Sequence, residues 1–386
     1  MSNVFSKSNA TIFDVMSSLA RQHNAINLGQ GFPDDPGPQI LREKAADEVI
    51  NGWNQYPPMM GIEVLRKAIA QHYSLKINAS IDWATETLVT SGATEALAAS
   101  ILALIEPGDE VVLFQPSYDA YLPLILRAGG IPRFVPLDPK DWSFEHKHLR
   151  GAFSPRTRAI ILNDPLNPAA ICFTSEQRAL IAHLCIENDV VAICDEVWEE
   201  VIFGGHAHQS LMAFPEMRGN TIKIGSAGKM FSLTGWKIGF VVAAPELLSL
   251  VAKAHQFLTF TTPPNLQAAA ALGLERATEL LPSLRTRLEI ARNYFSEGLQ
   301  ARGFVLLPSN STYFLNIDIA KSGLKDVDFC SRLVREFGVA AIPISAFFAT
   351  DPSHNVVRFC FAKQKATLDE ALKRLDVAAA FLLKVN

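Results

Sequence analysis

Cysteine is scarce in this chain of 386 residues, and its spacing forms no framework. Cys172, Cys185, Cys194, Cys330 and Cys360 are an odd set without a tight pair, which argues against a disulfide scaffold or structural zinc site and for buried thiols in a reducing compartment. Neither sign of charge dominates. The 35 Lys and Arg against 39 Asp and Glu leave a formal net charge of -4, with no extended positive field to hold a nucleic-acid backbone. Long apolar runs are missing as well. The strongest, Ala96 to Ile105, stops at Glu106 and Pro107 after about half the length of a bilayer crossing, and the opening MSNVFSKSNA lacks the apolar core of a secretory signal. There is no repeat, coiled coil or low-complexity tail. These absences predict a soluble, cytoplasmic protein whose partners are small molecules or proteins, with no nucleic acid and no membrane.

What is present is an alternation. The Gly-, Pro- and Asp-rich stretch NAINLGQGFPDDPGP, residues 24–38, reads as an extended arm or loop, followed by helical patterns over 40–50 and 61–74. From residue 86 short apolar runs (87–90, 110–114, 131–135, 159–162, 190–194, 221–225 and 239–243) alternate with helical segments. That pattern predicts an α/β fold with a mostly parallel sheet covered on both faces. Helices are expected over 245–258 and, as one long connector, 265–300. Further runs at 304–307, 311–317, 339–342 and 356–361, interleaved with helices near 326–337 and 365–383, make a smaller α/β unit. The length exceeds one ordinary core. The expected division is an arm and part of the small domain over 1–45, a large domain over 46–280 and a small domain over 281–386.

Open α/β sheets bind ligands beyond the C-terminal ends of their strands, and four such loops carry suitable groups. Ser91-Gly92-Ala93-Thr94 leads into a helix whose first N–H groups and dipole favour a phosphate, though the same residues make an ordinary turn and cap. Asp195 closes an apolar run and could pair with a pyridinium nitrogen, cap a helix or bind a metal; its neighbour Glu196 need not point the same way. Lys229, in Ser226-Ala227-Gly228-Lys229, sits among small residues where it can form a Schiff base with a cofactor aldehyde. Ser226 and Lys237 offer a hydroxyl and a charge to a phosphate, unless both lysines are simply solvated. Arg358, inside VVRFCF, is costly to bury without an anion, either a substrate carboxylate or a carboxylate of its own domain. Tyr118 in QPSYDAY follows a strand and could stack on a planar ring, while Tyr121 lies one helical step away; packing in the core or rim is the alternative for either. Asn167, flanked by Pro165 and Pro168, can aim its amide at a ring hydroxyl.

Taken in order, GQGFP, NQYPP, SGATEAL, QPSYDAY, NDPLNPAA, CDEVW, SAGKMFSLTGWKIG and RFCFAK closely resemble the class I/II, fold type I aminotransferases over residues 13–365. Within that family the chain looks most like the branch of kynurenine, glutamine-phenylpyruvate and methionine aminotransferases. The resemblance implies a pyridoxal 5'-phosphate enzyme working by a ping-pong cycle between an amino acid and a 2-oxo acid. It makes Lys229 the cofactor lysine and the base at substrate Cα, Asp195 the partner of the ring nitrogen, Asn167 the group beside the ring oxygen and Tyr118 the stacking aromatic. Ala93, Thr94, Ser226 and Lys237 match the phosphate cup. Arg358, with the backbone near Gly31, matches the grip on the substrate carboxylate. It also implies a homodimer, with Tyr56 reaching the partner's phosphate. Phe13, Phe260 and Thr261 match the side-chain pocket, the last two from the partner.

Two departures stand out. Trp198 occupies a position where the family usually has tyrosine, so either its indole N–H reaches the ring oxygen or Asn167 orients that oxygen with less help. Ala169-Ala170 follow Asn167-Pro168 where Thr-Gly is common, which constrains the turn. The aromatic pocket positions favour neutral, sulfur-containing or aromatic substrates. The alternatives are an aspartate aminotransferase, which needs a second cation, and a cysteine-conjugate β-lyase, which shares the Cα carbanion. A non-enzymatic ligand-sensing module would carry a DNA-binding domain ahead of the fold, whereas the match here starts near residue 13.

Overall fold

In the computed structural model, which describes residues 10–383, the short apolar runs become strands. In chain order these are β1 (Ile26–Asn27), β2 (Thr87–Ser91), β3 (Glu110–Gln115), β4 (Ile131–Pro136), β5 (Thr157–Asn163), β6 (Val191–Asp195), β7 (Thr221–Ser226) and β8 (Ile238–Ala243), then β9 (Val305–Leu306), β10 (Phe314–Asp318), β11 (Val339–Ala340), β12 (Ile342–Pro343) and β13 (Val356–Cys360). Seven of them form one sheet in the order β2-β8-β7-β6-β5-β3-β4. Strands β3, β6, β7 and β8 are buried along their whole length, as continuous apolar runs demand when helices cover both faces.

Strand β8 runs antiparallel to both β2 and β7, while the remaining pairs are parallel. The reversal matters for position. It brings the start of β8, and Lys237 just before it, to the edge where β2, β3, β5, β6 and β7 end. All the loops singled out in the first sheet therefore converge on one rim.

A second, four-stranded antiparallel sheet has the order β12-β13-β10-β9, and β1 pairs in parallel with β11, so the N-terminal segment joins the C-terminal elements. The helix Ile12–Gln22, capped by Thr11, was not expected from the sequence. The connector predicted as one helix is two, Pro264–Glu275 and Ala277–Gln300, the second spanning the expected boundary at residue 280. One apolar cluster runs from Phe114 and Trp198 beside the first sheet to Phe314, Phe359 and Leu372 of the second unit. The crevice between the two sheets is thus backed by shared core. None of the five cysteines is paired. No helix among the described residues is long and apolar enough to cross a membrane. The opening MSNVFSKSNA lies outside the described residues, except for Ala10.

Candidate active site

The rim and the crevice enclose two adjoining chambers that share Tyr118, Asn167, Trp198 and Lys229. The inner one, of about 190 Å³, is lined in addition by Ala93, Thr94, Asp195, Ser226 and Lys237. The outer one adds Phe13, Gly31, Phe314 and Arg358. Twelve of the fifteen residues expected from the sequence therefore meet in one place. The other three, Tyr56, Phe260 and Thr261, line neither chamber of their own chain. Tyr56 stands edge-on to Phe260 with ring centroids 5.8 Å apart, and the Thr261 hydroxyl donates to Pro58 O at 3.5 Å.

One end of the inner chamber is built for an anion. The helix Gly92–Leu104 starts there, with Gly92 in the left-handed region at φ +72°, a turn that glycine takes without strain. Gly239 of β8 presses against this start. A Cβ at Gly239 would lie 2.4 Å from Gly92 C and 2.6 Å from Ala93 N, so only glycine admits the approach. Lys237 Nζ stands 3.2 Å from where a Gly92 Cβ would be, which places its charge over the first turn. The Ser226 hydroxyl caps the short helix Ala227–Met230 by accepting from Lys229 N at 3.3 Å. Small residues, a helix N-terminus, a hydroxyl and an ammonium on one patch fit a phosphate group.

At the opposite end, Asp195 closes β6 and is 4% exposed. Burial pushes its carboxyl up to about 6, opposed by the Tyr121 hydroxyl, which donates to Oδ2 at 2.6 Å. Glu196 turns away from the chamber, into an ion pair with Lys223 at 2.6 Å. Glu196, Glu199 and His208 do approach one another, but Lys223 Nζ already lies between the two carboxylates, 3.0 Å from Glu199. Behind Asp195, the Asn163 side chain donates to Asp195 O at 2.9 Å and accepts from Asn167 N at 2.8 Å.

Between these ends lies Lys229. Its Nζ is 4.6 Å from the centroid of the Trp198 ring and donates to Gly31 O at 3.4 Å. Burial lowers its ammonium to about 8, and the nearby charges of Lys237 and Arg358 act in the same direction, against Cys360 and Asp195. Tyr313 donates to the Lys229 carbonyl at 3.0 Å and packs edge-on against Trp198, fixing both backbone and ring. Trp198 thus faces the lysine with its ring.

Arg358 is fully buried on β13. Its Nη1 donates to Asn167 Oδ1 at 2.7 Å and its Nη2 to Gly29 O at 3.3 Å, while the buried Nε finds no partner among the described residues. The guanidinium carbon is 3.8 Å from the Phe314 ring centroid, with Phe347 and Phe13 beyond. Burial lowers its pKa to about 9. No carboxylate meets it in a salt bridge among the described residues, so the structural ion pair considered for Arg358 is not what it makes. A guanidinium held by neutral acceptors and aromatic faces keeps its charge uncompensated, which suits it to an external anion.

The turn after Asn167 keeps its shape without glycine. Ala170 adopts φ +63°, and its carbonyl accepts from Asn310 N and Ser311 N at 2.9 and 3.1 Å. The Asn316 amide meanwhile donates to Pro168 O and Ala169 O. These bonds hold a conformation that an alanine disfavours by about 1–2 kcal/mol.

Residues 23–375 match the model of the family described as aminotransferase class I and II. Among characterised relatives, the methionine aminotransferase of Escherichia coli (strain K12) is 41% identical over 366 residues, 95% of each chain. A probable N-succinyldiaminopimelate aminotransferase of Mycobacterium tuberculosis is 42% identical over 383 residues, 96% of each chain. A solved Escherichia coli structure, for which a methionine aminotransferase function was identified, superposes with a TM-score of 0.94 at 39% identity. It covers 98% of this chain and 99% of its own.

Proposed function

This chain belongs to the class I and II aminotransferases, which are pyridoxal 5'-phosphate enzymes acting on amino acids and 2-oxo acids, and we propose that its site serves neutral, sulfur-containing or aromatic substrates. When bound, the cofactor supplies an aldehyde to carry the amino group and a ring that accepts electrons from the substrate. Lys229 is the residue that captures the aldehyde and moves the proton at substrate Cα. Asp195 would pair with the ring nitrogen, and Tyr118 would stack on the ring. Asn167 would hold the ring oxygen through the amide nitrogen that its bond to Arg358 leaves free. The start of the helix at Gly92, with Ala93, Thr94, Ser226 and Lys237, holds the phosphate.

Arg358 grips the α-carboxylate, and the character of the chamber around it carries the substrate assignment. Apart from Arg358 and Lys229, no cationic residue among the described residues lines the outer chamber, and Phe13 and Phe314 give it apolar walls. A substrate with a second carboxylate would bury that charge unpaired. Neutral side chains incur no such cost.

A homodimer completes this reading. Trp53, Tyr56 and Phe257 are 73%, 82% and 86% exposed on the single chain, an apolar surface suited to a second copy. Tyr56, Phe260 and Thr261 then serve the partner's site. Five unpaired thiols fit the cytoplasm.

Rapid-mixing measurement of the first half-reaction with methionine, phenylalanine, glutamine and aspartate tests the substrate class. The neutral amino acids should react at least about tenfold faster than aspartate in second-order rate. Aspartate reacting fastest by that margin would overturn the assignment.

A further inference from the structure

We propose that Tyr121 is a positioning residue for the transfer reaction: its hydroxyl commits one oxygen of Asp195 to the protein and so presents the other, correctly turned, to the cofactor's ring nitrogen. The proposal rests on the reading of Asp195 given above.

Tyr121 opens the helix Tyr121–Ala128, is 2% exposed and lies in an apolar cluster with Leu97, Leu113 and Ile193. A phenol hydroxyl in such surroundings needs a partner. The one it finds is Asp195 Oδ2 at 2.6 Å, 74 positions away in sequence. Tyr121 does not line the inner chamber, whereas Asp195 does, so the hydroxyl acts from behind the carboxylate. The bond reaches over β5, from the segment after β3 to the end of β6.

The carboxylate has little else to hold it. Its other hydrogen bond among the described residues is Val197 N to Oδ1 at 3.5 Å, a long contact. Losing the phenol would leave a buried carboxylate free to turn, and burial already favours its neutral form. A proton kept on Asp195 is one not shared with the ring nitrogen, and a protonated ring is the better electron sink. The same phenol ring stands edge-on to Tyr118, centroids 5.6 Å apart at 77°. One buried side chain thus braces both the nitrogen partner and the stacking aromatic. The ring alone suffices for the second task; the hydroxyl is needed for the first.

Tyr121→Phe separates the two, because it keeps the ring. It should be compared with Asp195→Ala and the double variant by cofactor titration of the apo proteins, by carbon NMR of the Asp195 carboxyl in the apo protein, and by steady-state kinetics. Removing a hydrogen bond to a charged group should weaken cofactor binding about tenfold and lower kcat with little change in KM. The Asp195 carboxyl should titrate at higher pH than in the wild type. In the Asp195→Ala background the same change should cause no further weakening, since the hydroxyl acts through that carboxylate. Equal weakening in both backgrounds would mean that Tyr121 only packs, and the proposal would fall. Wild-type behaviour of Tyr121→Phe alongside a damaged Asp195→Ala would overturn it while sparing the role of Asp195. An undamaged Asp195→Ala would remove both.

Discussion

A lysine cannot attack an aldehyde while it carries its proton, and the surroundings of Lys229 are arranged to take that proton away. Burial among Trp198, Tyr313 and the Gly31 carbonyl, with Lys237 and Arg358 nearby, lowers the ammonium from 10.5 to about 8. The neutral amine is then a substantial fraction near neutral pH. Covalent capture of added pyridoxal phosphate by the apo protein should accelerate as pH rises through about 8 and level off above it, as followed by rapid-mixing absorbance. Lys229→Ala should abolish the covalent phase. A profile rising only near 10 would mean a solvated lysine. Stability carries the same signature: between about 8 and 10.5 the unfolded chain holds this proton and the native state does not, so the Lys229 contribution to stability increases with pH across that window.

At the level of elements, the proposed phosphate cradle depends on a contact between two backbones. Because Gly239 of β8 meets the first turn of the helix Gly92–Leu104 at distances no Cβ tolerates, Gly239→Ala must push that turn away from Lys237. Overpacking of this kind costs about 1–3 kcal/mol, and backbone atoms cannot swing aside as a flexible side chain would. The variant should unfold at lower temperature and bind cofactor more weakly; unchanged affinity would place the phosphate elsewhere.

The two partners of this contact were unequally legible in the sequence. The runs at 221–225 and 239–243 announce strands because they are apolar and short, but such a run reads the same in either direction. The antiparallel sense of β8, which delivers Lys237 to the rim, is a property of the sheet. The polar residues closing those runs marked Asp195, Ser226 and Lys229, and the same signal stood unused at Asn163, the last residue of β5. Tyr121 showed only a place near a strand end, since its bond to Asp195 is made by tertiary packing. The break at Arg276 was hidden because good helix formers flank it on both sides. Ala170 at positive φ was foreseeable only as a constraint, and the bonds that meet it come from residues 310–316.

For the molecule as a whole, the exposed surface around Trp53, Tyr56 and Phe257 decides whether the site is complete. The exposed aromatic side chains there are what a second copy would cover, and three residues matched to the substrate and phosphate sites lie on that surface or beside it. If a second copy covers this face, a carboxylate placed at its centre must be buried without a partner, which a dimer interface does not tolerate. Phe257→Asp should therefore shift the protein from dimer to monomer in sedimentation velocity. Transfer activity should fall with it, because Tyr56, Phe260 and Thr261 would no longer reach a neighbouring site. Chain folding, followed by circular dichroism, should be preserved, since Phe257 makes no part of the core. A wild-type protein that sediments as a monomer while fully active would show that one chain suffices.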